Sequence, residues 1–156
     1  TRPIQGVLTM TIIEASIKIN KSVEDVFEHL TNIDNMKKVS EYITAIESDG
    51  PLKLGAKYKI TTTSFGKSTT ITNEIIAFEK NKLISTKTYG TPPAPDLVNT
   101  SILEADGSGT KLTGQMDAVL LPPGMPNMPG MEDMMKKQLI TGIENTLASY
   151  KKAIEG

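Results

Sequence analysis

Few residues of this chain have side chains suited to acid–base or metal chemistry. His29 is the only histidine and there is no cysteine, so His29 is the natural candidate for a general base. Helical spacing places it beside Glu28 and off the apolar face of its predicted helix, which favours a surface histidine over a catalytic one. One histidine without cysteine does not supply the usual zinc ligands. We therefore expect no metal site.

Two short motifs resemble phosphate or calcium loops but lack the required context. The run Gly66-Lys67-Ser68-Thr69 matches the end of a P-loop, yet Thr61 stands where the first glycine belongs. Both flanks read as strands, whereas a P-loop needs a helix N-terminus facing the phosphate. The acidic, glycine-containing stretch 104–109 is too short for an EF-hand. Both motifs are interpreted as hairpin turns, and no cofactor is expected.

Tyrosines on predicted strands are better candidates for specificity. Tyr58 alternates in phase with Ala56, Ile60 and Thr62, so its hydroxyl would enter any cavity that this face lines. Tyr89 lies near a strand end, where it would reach the mouth. Both have an alternative interpretation as core or edge aromatics. Weaker candidates depend on strand register: Asn73, Thr100 and Gln115.

Composition excludes several classes of protein. The 156 residues include 17 Lys and Arg and 18 Asp and Glu, for a net charge of -1, with no basic run longer than a pair. Nucleic acid is therefore not an expected partner. No apolar run approaches the roughly 20 residues of a membrane span, and no signal peptide is recognisable. We expect a cytoplasmic protein with an N-terminal extension or expression remnant at 1–10 and one domain at 11–156.

Hydrophobic periodicity predicts a strand, two short helices, six further strands and one long helix. Residues 11–19 alternate as a half-buried strand, Ser22 is a candidate N-cap for the first helix, and a second, weaker helix is predicted over 32–41. Turn residues then divide 43–120 into six antiparallel strands. The long helix, 132–154, carries one apolar stripe. Because this helix must cover a strongly curved sheet, we expect a void between the two.

Proline and methionine dominate the segment 121–131 before the long helix. Proline disfavours helix and central strand there, and flexible thioether side chains suit surfaces that pack against variable ligands or partners. The segment therefore predicts a pliable entrance to the void. Its entrance methionines are Met125, Met128 and Met131.

The order of elements and several spaced motifs resemble the START/SRPBCC superfamily, the helix-grip fold of the birch-pollen allergen. The motifs are Val23-x-x-Val26-Phe27-x-x-Leu30-Thr-Asn-Ile-Asp-Asn35, Gly50-x-Leu52-x-x-Gly55, Asn73-Glu-Ile-Ile-Ala-Phe-Glu79 and Gly109-Thr110-Lys111-Leu112. The chain departs from the family at Val39, where members usually have tryptophan. Ile19-Asn20 replaces the Ala-Pro pair of the co-chaperone branch, so that branch is disfavoured.

The resemblance implies an α+β helix-grip fold, with a curved antiparallel sheet of about seven strands, two short helices and a long C-terminal helix over a cavity. It also implies binding or transport of a lipid, polyketide, quinone or similar hydrophobic molecule, by a monomer or homodimer. Alternatives are a polyketide cyclase or dehydratase, and an interaction module acting through the methionine-rich loop. The predicted cavity-lining residues are Tyr58, Ile60, Tyr89, Thr100, Ile102, Met116, Met135, Leu139 and Ile143.

Overall fold

Seven strands form one antiparallel sheet in the computed structural model, which describes residues 11–38, 41–48, 50–90, 96–118 and 128–156. The strand order is β1-β7-β6-β5-β4-β3-β2, so only β1 pairs with a strand distant in sequence. The elements are β1 (Thr11–Ile19), α1 (Val23–Thr31), α2 (Ile33–Met36), β2 (Ile43–Ser48), β3 (Lys57–Ser64), β4 (Lys67–Glu79), β5 (Leu83–Thr88), β6 (Leu97–Asp106), β7 (Gly109–Ala118) and α3 (Met131–Glu155). The predicted helix-grip architecture is confirmed.

The sheet has one face toward the core and one toward solvent. In β1 the side chains of Ile13 and Ile19 are buried, while Glu14 and Lys18 between them are exposed. This alternation is the pattern that predicted the strand, since successive side chains of a strand point to opposite faces. The register opposes Ile13 to Met116 and Ile17 to Leu112 across β1 and β7. The apolar face of the sheet is therefore continuous from β1 to β7.

Helix α1 begins at a side-chain cap. The Ser22 hydroxyl accepts a hydrogen bond of 3.2 Å from the backbone N–H of Asp25, which satisfies one of the free donors of the first turn. The helix then buries Val26, Phe27 and Leu30. Predicted cap and observed cap are the same residue.

Helix α2 is shorter than predicted. It covers only Ile33–Met36 instead of 32–41. Asn32 has extended backbone angles, and its side chain accepts from the N–H groups of Asp34 and Asn35. Asn32 therefore ends α1 and caps α2, and the four-residue helix buries no side chain that would extend it.

The long helix α3 packs chiefly along β1 and more lightly on β7. Gly114 of β7 permits this approach, because a Cβ built there would lie 3.1 Å from Cγ2 of Ile143. Ile143 and Leu147 are the buried residues of this helix. With the helix over one side of the sheet, space remains above the middle strands. Within the described residues, no helix combines the length and apolar character needed to cross a membrane.

The β3–β4 hairpin closes with a two-residue loop. Ser64 pairs with Lys67, and the residues between them, Phe65 and Gly66, have φ of 52° and 75°. Positive φ at both loop positions is the requirement of a type I′ turn. The P-loop-like residues therefore form a hairpin turn and the start of β4, as predicted.

Candidate functional site

A cavity of about 440 Å³ lies between the sheet and α3. Its walls come from β3, β4, β5, β6, β7 and α3, with further residues from α1, α2 and the segment before β3. Volumes of about 300–1,000 Å³ are usual for small-molecule sites. The space predicted from sheet curvature and a single covering helix is present.

Polar side chains cross the sheet wall of the cavity. Tyr58 of β3 lies opposite Asn73 of β4, and Asn73 lies opposite Thr88 of β5. Two residues earlier in β5, Thr86 lies opposite Asn99 of β6. All five line the cavity. We call this set, together with Ser101, the polar band.

The polar band is held together by its own hydrogen bonds. The Thr88 hydroxyl donates to the Asn73 side-chain oxygen at 2.5 Å. The Tyr58 hydroxyl is hydrogen-bonded to the side chain of Thr86. These hydrogen bonds join strands β3, β4 and β5. They hold the side chains in place in the absence of a ligand.

The helix wall combines apolar surface with the polar side chains of Gln138 and Thr146. Leu139, Ile143 and Leu147 contribute aliphatic surface, and Gly142 leaves a gap in the helix surface, since a Cβ built there meets nothing within 4 Å. Tyr150, about one turn beyond Leu147, adds the only aromatic ring of this wall among the described residues.

The ionisable groups of the described cavity wall are two phenols, Tyr58 and Tyr150. Burial raises the pKa of Tyr58 to about 12, although the hydrogen bond from Thr86 opposes the rise. Burial also raises the pKa of Tyr150. Low-polarity surroundings disfavour phenolate. Both tyrosines therefore remain uncharged hydrogen-bonding groups near neutral pH.

Six of the predicted lining residues are found in the cavity wall: Tyr58, Ile60, Thr100, Met116, Leu139 and Ile143. Thr100 differs from the others in the direction of its side chain. Its hydroxyl pairs with that of Ser85 at 2.5 Å, and its β7 partner is Gln115, whose amide donates to Glu14 outside the cavity. Because alternate residues of a strand face opposite sides, Thr100 contributes mainly backbone to the wall.

Tyr89 does not line the cavity, contrary to its predicted place at the mouth. It follows Thr88 directly and so lies on the opposite face of the strand. Its hydroxyl donates to the Glu74 carboxylate, and the ammonium groups of Lys57 and Lys87 lie 5.8 and 5.2 Å from the ring centroid. The hydrogen bond to Glu74 raises the pKa of Tyr89. It is an edge aromatic, the alternative that the sequence also offered.

Ile102 and Met135 also lie outside the cavity wall. Ile102 pairs with Leu83 and Thr113, which places its side chain on the face that Thr100 occupies, away from the helix. Met135 is half-buried against the core one turn before Leu139. The observed register turns Ile102 to the outer face of the sheet, and the cavity ends along α3 before it reaches Met135.

Of the entrance methionines, Met125 lies outside the described residues. Met128 is exposed and Met131 begins α3. Neither is part of the cavity wall among the described residues. The entrance role of this segment stays a prediction.

His29 differs from its expected surface position. It is half-buried, and its Nδ1 is buried without a hydrogen-bond partner among the described residues. Burial, with a smaller effect of Lys38, lowers its pKa. It lies in a shallow depression with Asp25 and Glu28, away from the cavity. The described residues contain no cluster of three or more potential metal ligands.

Sequence reasoning missed most of the polar band. Asn73 was a weak candidate, whereas Thr86, Thr88, Asn99 and Ser101 were not singled out. The signal was available in β5, where Ile84, Thr86 and Thr88 alternate in one phase. Only the pairing of β5 with β6 shows that this alternating set of side chains faces the helix.

Comparisons with known proteins agree with this architecture. Residues 10–155 match the family model described as polyketide cyclase/dehydrase and lipid transport. A protein of unknown function, SA2116 from Staphylococcus aureus, has a similar structure with a TM-score of 0.75, 20% identity and coverage of 94% of this chain and 95% of that chain. Among curated proteins, none matches this sequence significantly.

Two further solved structures share the fold. Ara h 8.0201 has a TM-score of 0.72 at 14% identity, with coverage of 94% of this chain and 99% of that chain. The di-domain ARO/CYC StfQ from the steffimycin biosynthetic pathway has a TM-score of 0.72 at 13% identity, over 94% of this chain and 51% of that chain. At these identities the likeness concerns the fold. With the family model covering nearly the whole sequence, the chain belongs to the polyketide cyclase/dehydrase and lipid transport family of the START/SRPBCC superfamily.

Proposed function

We propose that this protein binds a hydrophobic small molecule in the cavity between the sheet and α3. The observation that carries the proposal is the 440 Å³ cavity itself, with Leu139, Ile143 and Leu147 on the helix wall and several hydrogen-bonding groups on the facing sheet. Transfer of a ligand from water to such walls is favoured by about 25 cal/mol per Å² of apolar surface. The hydrogen-bonding groups would orient the ligand.

Binding is favoured over catalysis by the chemistry of the wall. The family description and the StfQ title name cyclases, and cyclisation or dehydration needs a group that exchanges protons near neutral pH. In the described wall the ionisable groups are Tyr58 and Tyr150, both with raised pKa. Neither is suited to act as a base at pH 7. We therefore propose a carrier or receptor for a lipid, polyketide, quinone or similar molecule.

Titration with an uncharged, environment-sensitive dye such as Nile red tests this proposal. Leu139→Lys places a charge in the wall and is expected to weaken binding at least about tenfold, because an unpaired charge near apolar surface is costly. Met134→Lys is the matched control, since Met134 is an exposed residue of the same helix outside the wall.

Equal dye binding by the two lysine variants, with the helical content of both unchanged, would contradict the proposal. Native mass spectrometry of the purified protein gives an independent test. A co-purified small molecule is expected in the wild-type protein, and less of it in Leu139→Lys than in Met134→Lys.

A further inference from the structure

We infer that the cavity takes an uncharged ligand whose hydroxyl or carbonyl groups lie along the polar band, and that it discriminates against anions of the same shape. This rests on the proposed binding function and adds the chemical class of the ligand.

The first support is the continuity of the polar band. Its members oppose one another directly in the register, as Tyr58 with Asn73, Asn73 with Thr88, and Thr86 with Asn99. Side chains directly opposite in an antiparallel pair have Cβ atoms about 4.5–5.5 Å apart. The band therefore offers hydrogen-bonding groups on four strands, with a step of two residues along β5 from Thr88 to Thr86. A ligand with two or more oxygens along one edge would match it, whereas a plain hydrocarbon would leave these groups without ligand contacts.

The second support is the kind of polar group present. Asn73 and Asn99 carry carboxamides, and the other members carry hydroxyls. All of these both donate and accept hydrogen bonds without a net charge. Asn73 already accepts from Thr88 through its side-chain oxygen, so its amide nitrogen, with two donor hydrogens, is the group available to a ligand oxygen. Such groups match hydroxyls and carbonyls.

The third support is the charge of the surroundings. The described wall residues include no lysine, arginine, histidine, aspartate or glutamate. A carboxylate entering this cavity would lose hydration without gaining a cationic partner among the described wall residues. That loss is unfavourable unless the charge is paired.

Three rigid probes with the same naphthalene skeleton separate the effect of hydrogen-bonding oxygens from the effect of negative charge. Naphthalene-2,6-diol is uncharged at pH 7 and bears an oxygen at each end, naphthalene-2,6-dicarboxylate is anionic, and naphthalene has no polar group. We expect the diol to bind at least about tenfold more tightly than the dicarboxylate, and more tightly than naphthalene, by isothermal titration calorimetry with the wild-type protein.

Variants of the polar band assign the preference to named side chains. Asn99→Leu with Ser101→Ala is expected to reduce the advantage of the diol over naphthalene by about tenfold, since hydrogen bonds to the ligand are lost. Ile102→Val is the control on the same strand, because Ile102 lies outside the cavity wall and pairs with Leu83 and Thr113 on the opposite face of the sheet. This control is expected to keep the wild-type preference.

The outcomes separate this inference from the proposed function. Equal affinity for the diol and the dicarboxylate, or an unchanged preference in the Asn99→Leu, Ser101→Ala variant, would overturn the inference and leave cavity binding intact. Failure of all three probes and of Nile red to bind would overturn the proposed function itself.

Discussion

Tyr58 and Tyr150 line the same cavity from opposite walls, one on strand β3 and the other on the C-terminal helix. Each phenol has a raised pKa because it is buried, and the proximity of Tyr150 contributes to the rise at Tyr58. Both phenols therefore stay protonated and uncharged near neutral pH. Because their pKa values are raised on folding, their protonation is coupled to the stability of the fold.

Stability is expected to fall steeply at alkaline pH because of Tyr58. The pKa of its phenol rises from 10.0 to about 12 in the folded protein, so the folded state holds the proton more tightly than the unfolded state. The contribution is fully present below pH 10 and is lost as pH rises from 10 toward 12. Its size is about 3 kcal/mol. Tyr58→Phe should therefore show a shallower loss of unfolding free energy across this range in urea denaturation.

Ile60→Val is the control for the alkaline experiment. Ile60 lines the same cavity on the same strand and has no titrating group. Its variant is expected to lose about 1 kcal/mol of stability equally at all pH values. A pH slope in Tyr58→Phe as steep as that of the wild type would show that Tyr58 is not the responsible group.

Gly109 is expected to tolerate no larger residue. A Cβ at this position would lie 2.6 Å from the backbone carbonyl oxygen of Ile19, and a backbone atom held in the paired strands β1 and β7 cannot move aside easily. Gly109→Ala should destabilise the protein by about 1–3 kcal/mol, measured by chemical denaturation. The control is Gly142→Ala, which has open space and should gain about 0.5–1 kcal/mol in helix α3. Equal stability of the two variants would refute the clash.

Phe65 is expected to be suboptimal for stability. Its ring is fully exposed and its φ is 52°, a conformation that asparagine and glycine adopt more easily in type I′ turns. Phe65→Asn should raise the unfolding free energy by about 0.5–1 kcal/mol. Thermal denaturation provides the measurement, with Phe65→Ala as a control that removes the ring without favouring positive φ. A Phe65→Asn variant no more stable than Phe65→Ala would contradict this account.

Much of the fold could be predicted because its determinants are local. The alternation of Ile13 and Ile19 with charged residues, the Ser22 cap and the turn at Phe65-Gly66 each act over a few residues. The boundary between α1 and α2 could not be predicted, since Asn32 was equally suited to end one helix or begin the next. Its side-chain oxygen accepts from the N–H groups of Asp34 and Asn35, so Asn32 is the N-cap of α2.

The site was less predictable because cavity lining depends on register. Tyr58 and Ile60 alternate within one strand, and their shared face followed from the sequence. Tyr89 was placed by its proximity to a strand end, and the face of Ile102 depends on strand register, where a shift of one residue reverses the face. The polar band depends on pairings between four strands, which local patterns do not contain.

Filling the cavity from the helix side distinguishes ligand binding in this cavity from binding elsewhere on the protein. Gly142 lines the cavity and has free space at its Cβ position. Gly142→Phe should therefore place a ring where the ligand would lie. Gly142→Ala is the control, because it also replaces the helix glycine but leaves the cavity open. The measurement is Nile red affinity of the two variants by fluorescence titration. We expect at least about tenfold weaker binding by folded Gly142→Phe than by Gly142→Ala. Equal affinity of the two folded variants would contradict ligand binding in this cavity.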